Sequence, residues 1–279
     1  MKRPHRVATR ALAALLTVLA ALVGARVAGS EGGGQNQFPC SSTTLPTAGA
    51  LLPELVPDQQ LLADDHVVWH DPQTGQFLLA FSAGIANVGA GTLNVVGFRD
   101  RLAGSVLPDP NTMPAYQRIF HADGTCDEVQ IGTMTYHPVH HHWHLDGVMQ
   151  YELLDASRVP VKPNTKVAFC LADIAVVDSS LPGFPTAPAY NGCDPNQRTT
   201  YVNMGTSVGW EDIYDKRLFG QNFDVTDLMN QDPAQYFIRQ TVDAAGILFE
   251  EDNTNNTTEI PVTLGIGVPY STGRPRPGV

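Results

Sequence analysis

Beyond its first thirty residues the chain never runs far without a turn-forming residue, and this punctuation argues against long helices. His66-Val-Val-Trp-His70 meets the turn-rich Asp71-Pro-Gln-Thr-Gly-Gln76 and continues into Phe77-Leu-Leu-Ala-Phe-Ser-Ala-Gly-Ile-Ala86, which reads as a hairpin. Gly89-Ala-Gly91 breaks the run before Thr92-Leu-Asn-Val-Val96. A second hairpin is signalled by Arg118-Ile-Phe-His-Ala122, the Asp123-Gly124 turn and Glu128-Val-Gln-Ile131. Further strands are expected over residues 147–154, 166–171, 236–242 and 259–264. Short strands with turns between them predict an all-β fold, a β-sandwich with little helix. Two proline-rich stretches, residues 102–116 and 178–199, predict long irregular loops of the kind that carry function.

The first thirty residues stand apart from this pattern. Lys2, Arg3, Arg6 and Arg10 form a basic head, residues 11–25 are apolar or small, and Ala25, Ala28, Gly29 and Ser30 follow. That layout predicts a secretory signal over residues 1–30, and the apolar stretch falls short of the roughly 20 residues that span a bilayer. The segment holds five of the 17 Lys+Arg and none of the 28 Asp+Glu, so the remainder carries 12 against 28, a formal balance of −16. Such a surface disfavours nucleic acid and attracts cationic amines. All four cysteines (Cys40, Cys126, Cys170 and Cys193) lie beyond the signal, and an even number in an exported chain predicts two disulfides. Three pairings exist. Cys170–Cys193 is favoured because it ties down the Pro- and Gly-rich loop between them, which leaves Cys40–Cys126. No Cys-x-x-Cys occurs, which argues against a redox dithiol or a cysteine-zinc site.

Five of the nine histidines fall in one window, His137-Pro-Val-His140-His141-His142-Trp143-His144. In a strand, side chains alternate faces, so His140, His142 and His144 share one side and His141 and Trp143 the other. A helix would separate His140 from His142 by about 200°. The following Leu145, Val148, Met149, Tyr151, Leu153 and Leu154 favour the strand. Three imidazoles on one face predict a metal site, and imidazole suits copper, zinc, nickel or iron, with the affinity order favouring copper. Three histidines plus a water is equally the arrangement of a zinc hydrolase, and a secreted metal-binding domain without catalysis needs no more than this.

The run from His137 to His144, followed by Tyr151-Glu-Leu-Leu-Asp155, resembles the copper-binding segment of the lysyl oxidase family. Three further segments match in the same order: Lys166-Val-Ala-Phe-Cys-Leu-Ala-Asp173, then Gly209-Trp-Glu-Asp-Ile-Tyr214 running on to Gln221-Asn-Phe-Asp-Val-Thr226, then Glu250-Glu-Asp-Asn-Thr-Asn-Asn256. The resemblance implies copper on His140, His142 and His144. It also implies a lysine tyrosylquinone cofactor made from Lys166 and Tyr214. The implied reaction oxidises a primary amine or peptidyl lysine with O2 to an aldehyde, ammonia and hydrogen peroxide. Asp146 continues the period-two face of the histidines and is a candidate base or ligand-orienting group. His137 and His141 are candidate orienting residues. The acidic turn offers hard oxygens suited to calcium. The resemblance implies a structural calcium on Glu250, Asp252, Asn255 and Asn256, completed by Glu54 and the carbonyl of Leu55 in Pro53-Glu54-Leu55. Asn255-Asn-Thr and Asn256-Thr-Thr also match glycan-acceptor patterns, which an ion on the same asparagines would contradict. The expected organisation is a flexible segment over residues 31–48, a catalytic domain over 49–266 and a flexible tail over 267–279. Unlike the animal members, the chain lacks a cysteine-rich framework, and it has Trp210 and Gly220 where a disulfide flanks the cofactor tyrosine.

Overall fold

The computed structural model describes residues 40–99, 111–163 and 168–272. The expected signal over residues 1–30 and Lys166 lie outside the described residues. The fold is all-β, with strands shared among four hydrogen-bonded sheets that enclose one core. The largest sheet runs Ala168–Phe169, His142–Asp146, Cys126–His137, Thr112–His121, Leu93–Phe98, Tyr201–Thr206. A second joins Pro160–Pro163, Met149–Leu154, Ala234–Val242 and Thr257–Leu264. A third joins Ala175–Val176, Trp210–Tyr214, Ala83–Asn87 and Leu55–Pro57. The fourth joins Asn222–Asp224, Phe77–Phe81, His66–His70 and Ser271–Thr272. One short α-helix, Gln59–Asp64, starts at Asp58, whose carboxylate accepts the Leu61 amide. No helix among the described residues is long and apolar enough to cross a membrane.

Both expected hairpins form. Asp71 closes the first, with its amide bonded to the Gln76 carbonyl and its carboxylate accepting the Gln73 amide. The second turns at Gly124, where φ is 84°, and its strands extend to Thr112–His121 and Cys126–His137. Residues 112–116, expected in a loop, are therefore strand, because Thr112 to Tyr116 pair along the partner from Thr135 to Gln130. The run 77–86, read as one strand, is two. Phe77–Phe81 pairs with His66–His70, whereas Ala83–Asn87 pairs with Trp210–Tyr214 in another sheet. Ser82 is the joint, its amide bonded to the Asp65 carbonyl and its hydroxyl donating to the Asp65 carboxylate.

The disulfides are Cys40–Cys126 and Cys170–Cys193. The first holds the near end of the segment expected to be flexible: Ser41–Thr43 adds to the sheet parallel to Asp127–Val129, and Thr47 donates to Asp127 through both amide and hydroxyl. At the other end, Ser271–Thr272 pairs with Trp69 and His70, and Tyr270 packs edge-on to His70 and Phe77, so the tail is docked as far as Thr272. Backbone interactions hold these stretches that composition alone marks as loose. Gly91 shows a similar demand for space, since a Cβ there would lie 2.0 Å from the Leu51 carbonyl oxygen.

The core is joined across sheets by aromatic rings. Phe81 stacks on Phe223 at 5.2 Å and meets Tyr151 edge-on at 4.9 Å. Tyr151 meets Phe169 at 6.0 Å, and Phe169 meets Tyr214 at 4.9 Å. Phe81 is fully buried. Phe81→Ala should therefore cost about 3–5 kcal/mol of unfolding free energy, read from denaturant midpoints. A loss under about 1 kcal/mol would show that this site collapses without its ring.

Candidate metal centre

The hairpin between Cys126–His137 and His142–Asp146 closes where His137 pairs with His142. Residues 138–141 form its turn, and His141 takes a left-handed φ of 56°. The expectation of three histidines on one strand needs correction. His142 and His144 alternate along the strand, but His140 belongs to the turn, because the chain must reverse before the pairing with His137 can start. The left-handed step at His141 still brings the His140 ring back over the strand face. The candidate ligand atoms of His140, His142 and His144 lie within 4.8 Å of one another.

The nitrogen contacts are closer than that span suggests. His142 Nε2 lies 2.9 Å from His144 Nε2, and His140 Nδ1 lies 3.4 Å from the same atom. Two imidazole nitrogens at such a distance share one proton between two lone pairs, whereas a cation accepts both pairs at once. His144 is buried and the other two are half-buried. Trp143, on the opposite face, is fully buried, and its indole N–H donates to the Asn196 carbonyl in the long irregular loop. His137 stacks on His140 at 4.2 Å and on His144 at 5.3 Å, so it packs against two of the three rings. His141 is exposed.

Asp146 stays on the face of His142 and His144, as the alternation predicts, and the strand ends there before Gly147 at φ 81°. Thr135 donates its hydroxyl to Asp146 Oδ2 at 2.7 Å, and burial raises the carboxyl above its ordinary range. Ala168 pairs with Asp146 and Phe169 with Leu145, which places the strand after Lys166 beside the histidine strand. Tyr214 reaches this region from the third sheet, its buried ring edge-on to Phe169.

Among the described residues the Tyr214 hydroxyl donates to the Cys170 carbonyl and to Asp212 Oδ2, the latter at 2.6 Å. Burial and the Asp212 charge hold the phenol protonated well above its usual range. Asp212 is only 3% exposed. The sequence reading passed over it, although its spacing of two from Tyr214 on a strand puts both side chains on one face. Glu211, on the other face, is buried and pushed up to about 8, first by burial and then by Asp58 and Asp212.

The acidic turn also gathers as its residues predict. Glu54 Oε2 accepts the Asp252 amide at 2.7 Å, and the Asn255 amide donates to Glu54 Oε1. Glu250 accepts the Leu55 amide at 3.2 Å and the Asn256 side chain at 2.6 Å. Glu250 is raised to about 7, chiefly by burial and then by Asp243 and Glu54. Asn256 is 7% exposed, and its Oδ1 has no hydrogen-bond partner among the described residues. That burial opposes a glycan on Asn256; Asn255 is exposed.

A family model described as Lysyl oxidase matches residues 122–265, which include both hairpin strands, the three histidines, Tyr214 and the acidic turn. No curated protein matches the chain.

The raised carboxyl of Glu211 has a stability consequence. Its folded value lies above the ordinary glutamate value of 4.5, so the stability it contributes is complete below that pH and is lost as pH rises through about 8. Thermal melts of metal-free protein should show Glu211→Gln keeping more of its pH 6 melting temperature at pH 9 than the parent does. Equal losses in both proteins would remove Glu211 from the account.

Proposed function

As the chain belongs to the lysyl oxidase family, we propose that it is an exported, copper-dependent amine oxidase. It would convert primary amines or peptidyl lysine to aldehydes with O2, releasing ammonia and hydrogen peroxide. The observation that carries this reading is the convergence of three imidazole nitrogens from His140, His142 and His144. An all-nitrogen set on neutral rings fits copper. Export is supported by the basic and apolar leader, by the two disulfides and by an acidic remainder suited to cationic substrates.

In this reading Lys166 and Tyr214 are the two side chains of lysine tyrosylquinone. Once formed, that cofactor supplies an electrophilic carbonyl for the amine and takes up its electrons. The chain's own residues do the rest. Phe169 and the Cys170 carbonyl orient the Tyr214 ring and hydroxyl. Asp146 is the proposed base, its carboxyl raised by burial above the ordinary aspartate range. The Thr135 hydroxyl keeps Oδ2 in place. His137 stiffens the ligand set by stacking.

Calcium is proposed at the acidic turn, held by Glu54, Glu250, Asp252, Asn255 and Asn256 with the Leu55 carbonyl. The buried Asn256 Oδ1 beside Glu250, without a hydrogen-bond partner among the described residues, fits an oxygen-seeking cation.

Two experiments decide these assignments. Protein loaded with one equivalent of copper and aerated should yield a Lys166–Tyr214 crosslinked peptide by mass and a visible band that phenylhydrazine shifts, and His144→Ala should lose stoichiometric copper binding. Copper bound at full stoichiometry with both residues unmodified would sink the oxidase and favour a binding domain. For calcium, a proton on Glu250 competes with the ion, so added calcium should raise the melting temperature more at pH 8 than at pH 6. The gain should disappear in Glu250→Gln. No calcium effect at either pH rejects the site.

A further inference from the structure

Among the described residues the Cys170 carbonyl and Asp212 accept from the Tyr214 hydroxyl, and they are chemically unequal. The Cys170 carbonyl accepts a hydrogen bond but takes up no proton near neutral pH. Asp212 Oδ2, at 2.6 Å, can do both. Asp212 and Tyr214 are two residues apart on the strand Trp210–Tyr214, which fixes them on one face, and that strand is bonded along its length to Ala83–Asn87. Asp212 is 3% exposed and Tyr214 is 6% exposed, so bulk water is a poor proton acceptor for this hydroxyl.

We propose that Asp212 is the proton acceptor for Tyr214 when its ring is oxidised to make the cofactor. The step rests on the copper oxidase reading above. Copper held on His140, His142 and His144 would supply the oxidant that takes one electron from the Tyr214 ring, with O2 as the terminal electron acceptor. The Oη–H bond breaks, and the proton forms an O–H bond on Asp212 Oδ2. A phenol that has lost an electron is a far stronger acid than a neutral one, so a carboxylate already in contact takes the proton without rearrangement. The transfer also neutralises a buried carboxylate, which its surroundings favour.

The test compares parent, Asp212→Asn and Asp212→Glu proteins, each given one equivalent of copper and aerated. Copper stoichiometry is measured, and loss of the unmodified Tyr214 peptide is followed by mass. The expected result is full copper binding in all three, with modification slowed at least ~100-fold in Asp212→Asn and partly restored in Asp212→Glu. Modification of Asp212→Asn at the parent rate overturns this role and leaves the oxidase reading standing. A parent that binds copper yet keeps Tyr214 intact overturns both. If Asp212→Asn does not melt cooperatively, the parent in D2O decides: slower Tyr214 loss than in H2O supports proton movement in the step, and equal rates overturn it.

Discussion

Edge-to-face contact between buried aromatic rings joins the four sheets into one body. Phe81 and Phe223 belong to the fourth sheet, Tyr151 to the second, Phe169 to the largest and Tyr214 to the third, and each ring touches the next. Such pairs add about 0.5–1.5 kcal/mol each beyond the area they bury. Their larger effect is positional. Tyr214 ends this chain of rings, and Phe169 lies across the strand pair from Leu145, next to His144. The separation between the histidine face and the tyrosine is therefore set by core packing and ladder register, with loop conformation secondary.

Much of this was legible in the sequence, and the misses have physical causes. Turn residues at Asp71 and Asp123-Gly124 located both hairpins, because reversal there is governed by local backbone chemistry. Alternation put His142, His144 and Asp146 on one face for the same reason. The change of sheet at Ser82 was not legible, since the run from Phe77 to Ala86 is apolar but for Ser82 and Gly84, and the partners that hold Ser82, Asp65 and Lys216, are distant in sequence. The turn position of His140 depends on where His137 finds its partner, a pairing that periodicity does not encode. Asp212 escaped because an acid beside a tyrosine is ordinary in sequence, and its meaning comes from a contact buried on every side.

Charge is distributed in two ways. The surface is acidic, yet several carboxyls are drawn inside, where burial holds Glu211 and Glu250 near neutrality. Both adjoin strands that carry the candidate centres: Glu211 shares a strand with Tyr214, and Glu250 bonds the amide that begins Leu55–Pro57. A folded chain that protonates these groups buries them at less cost than one that ionises them, so the electrostatics of the core and of the centres are set by the same few residues.

The left-handed step at His141 divides the candidate metal ligands into two mechanical classes. His142 and His144 ride on a strand bonded to the longest strand of the largest sheet, so the spacing between them is fixed before any ion arrives. His140 sits on a turn whose amides at His140 and His141 donate to the His137 carbonyl. A rigid pair with a compliant third arm tolerates an ion whose preferred geometry changes with its oxidation state. Any adjustment would fall on the turn, leaving the strand that carries His142 and His144 in its register.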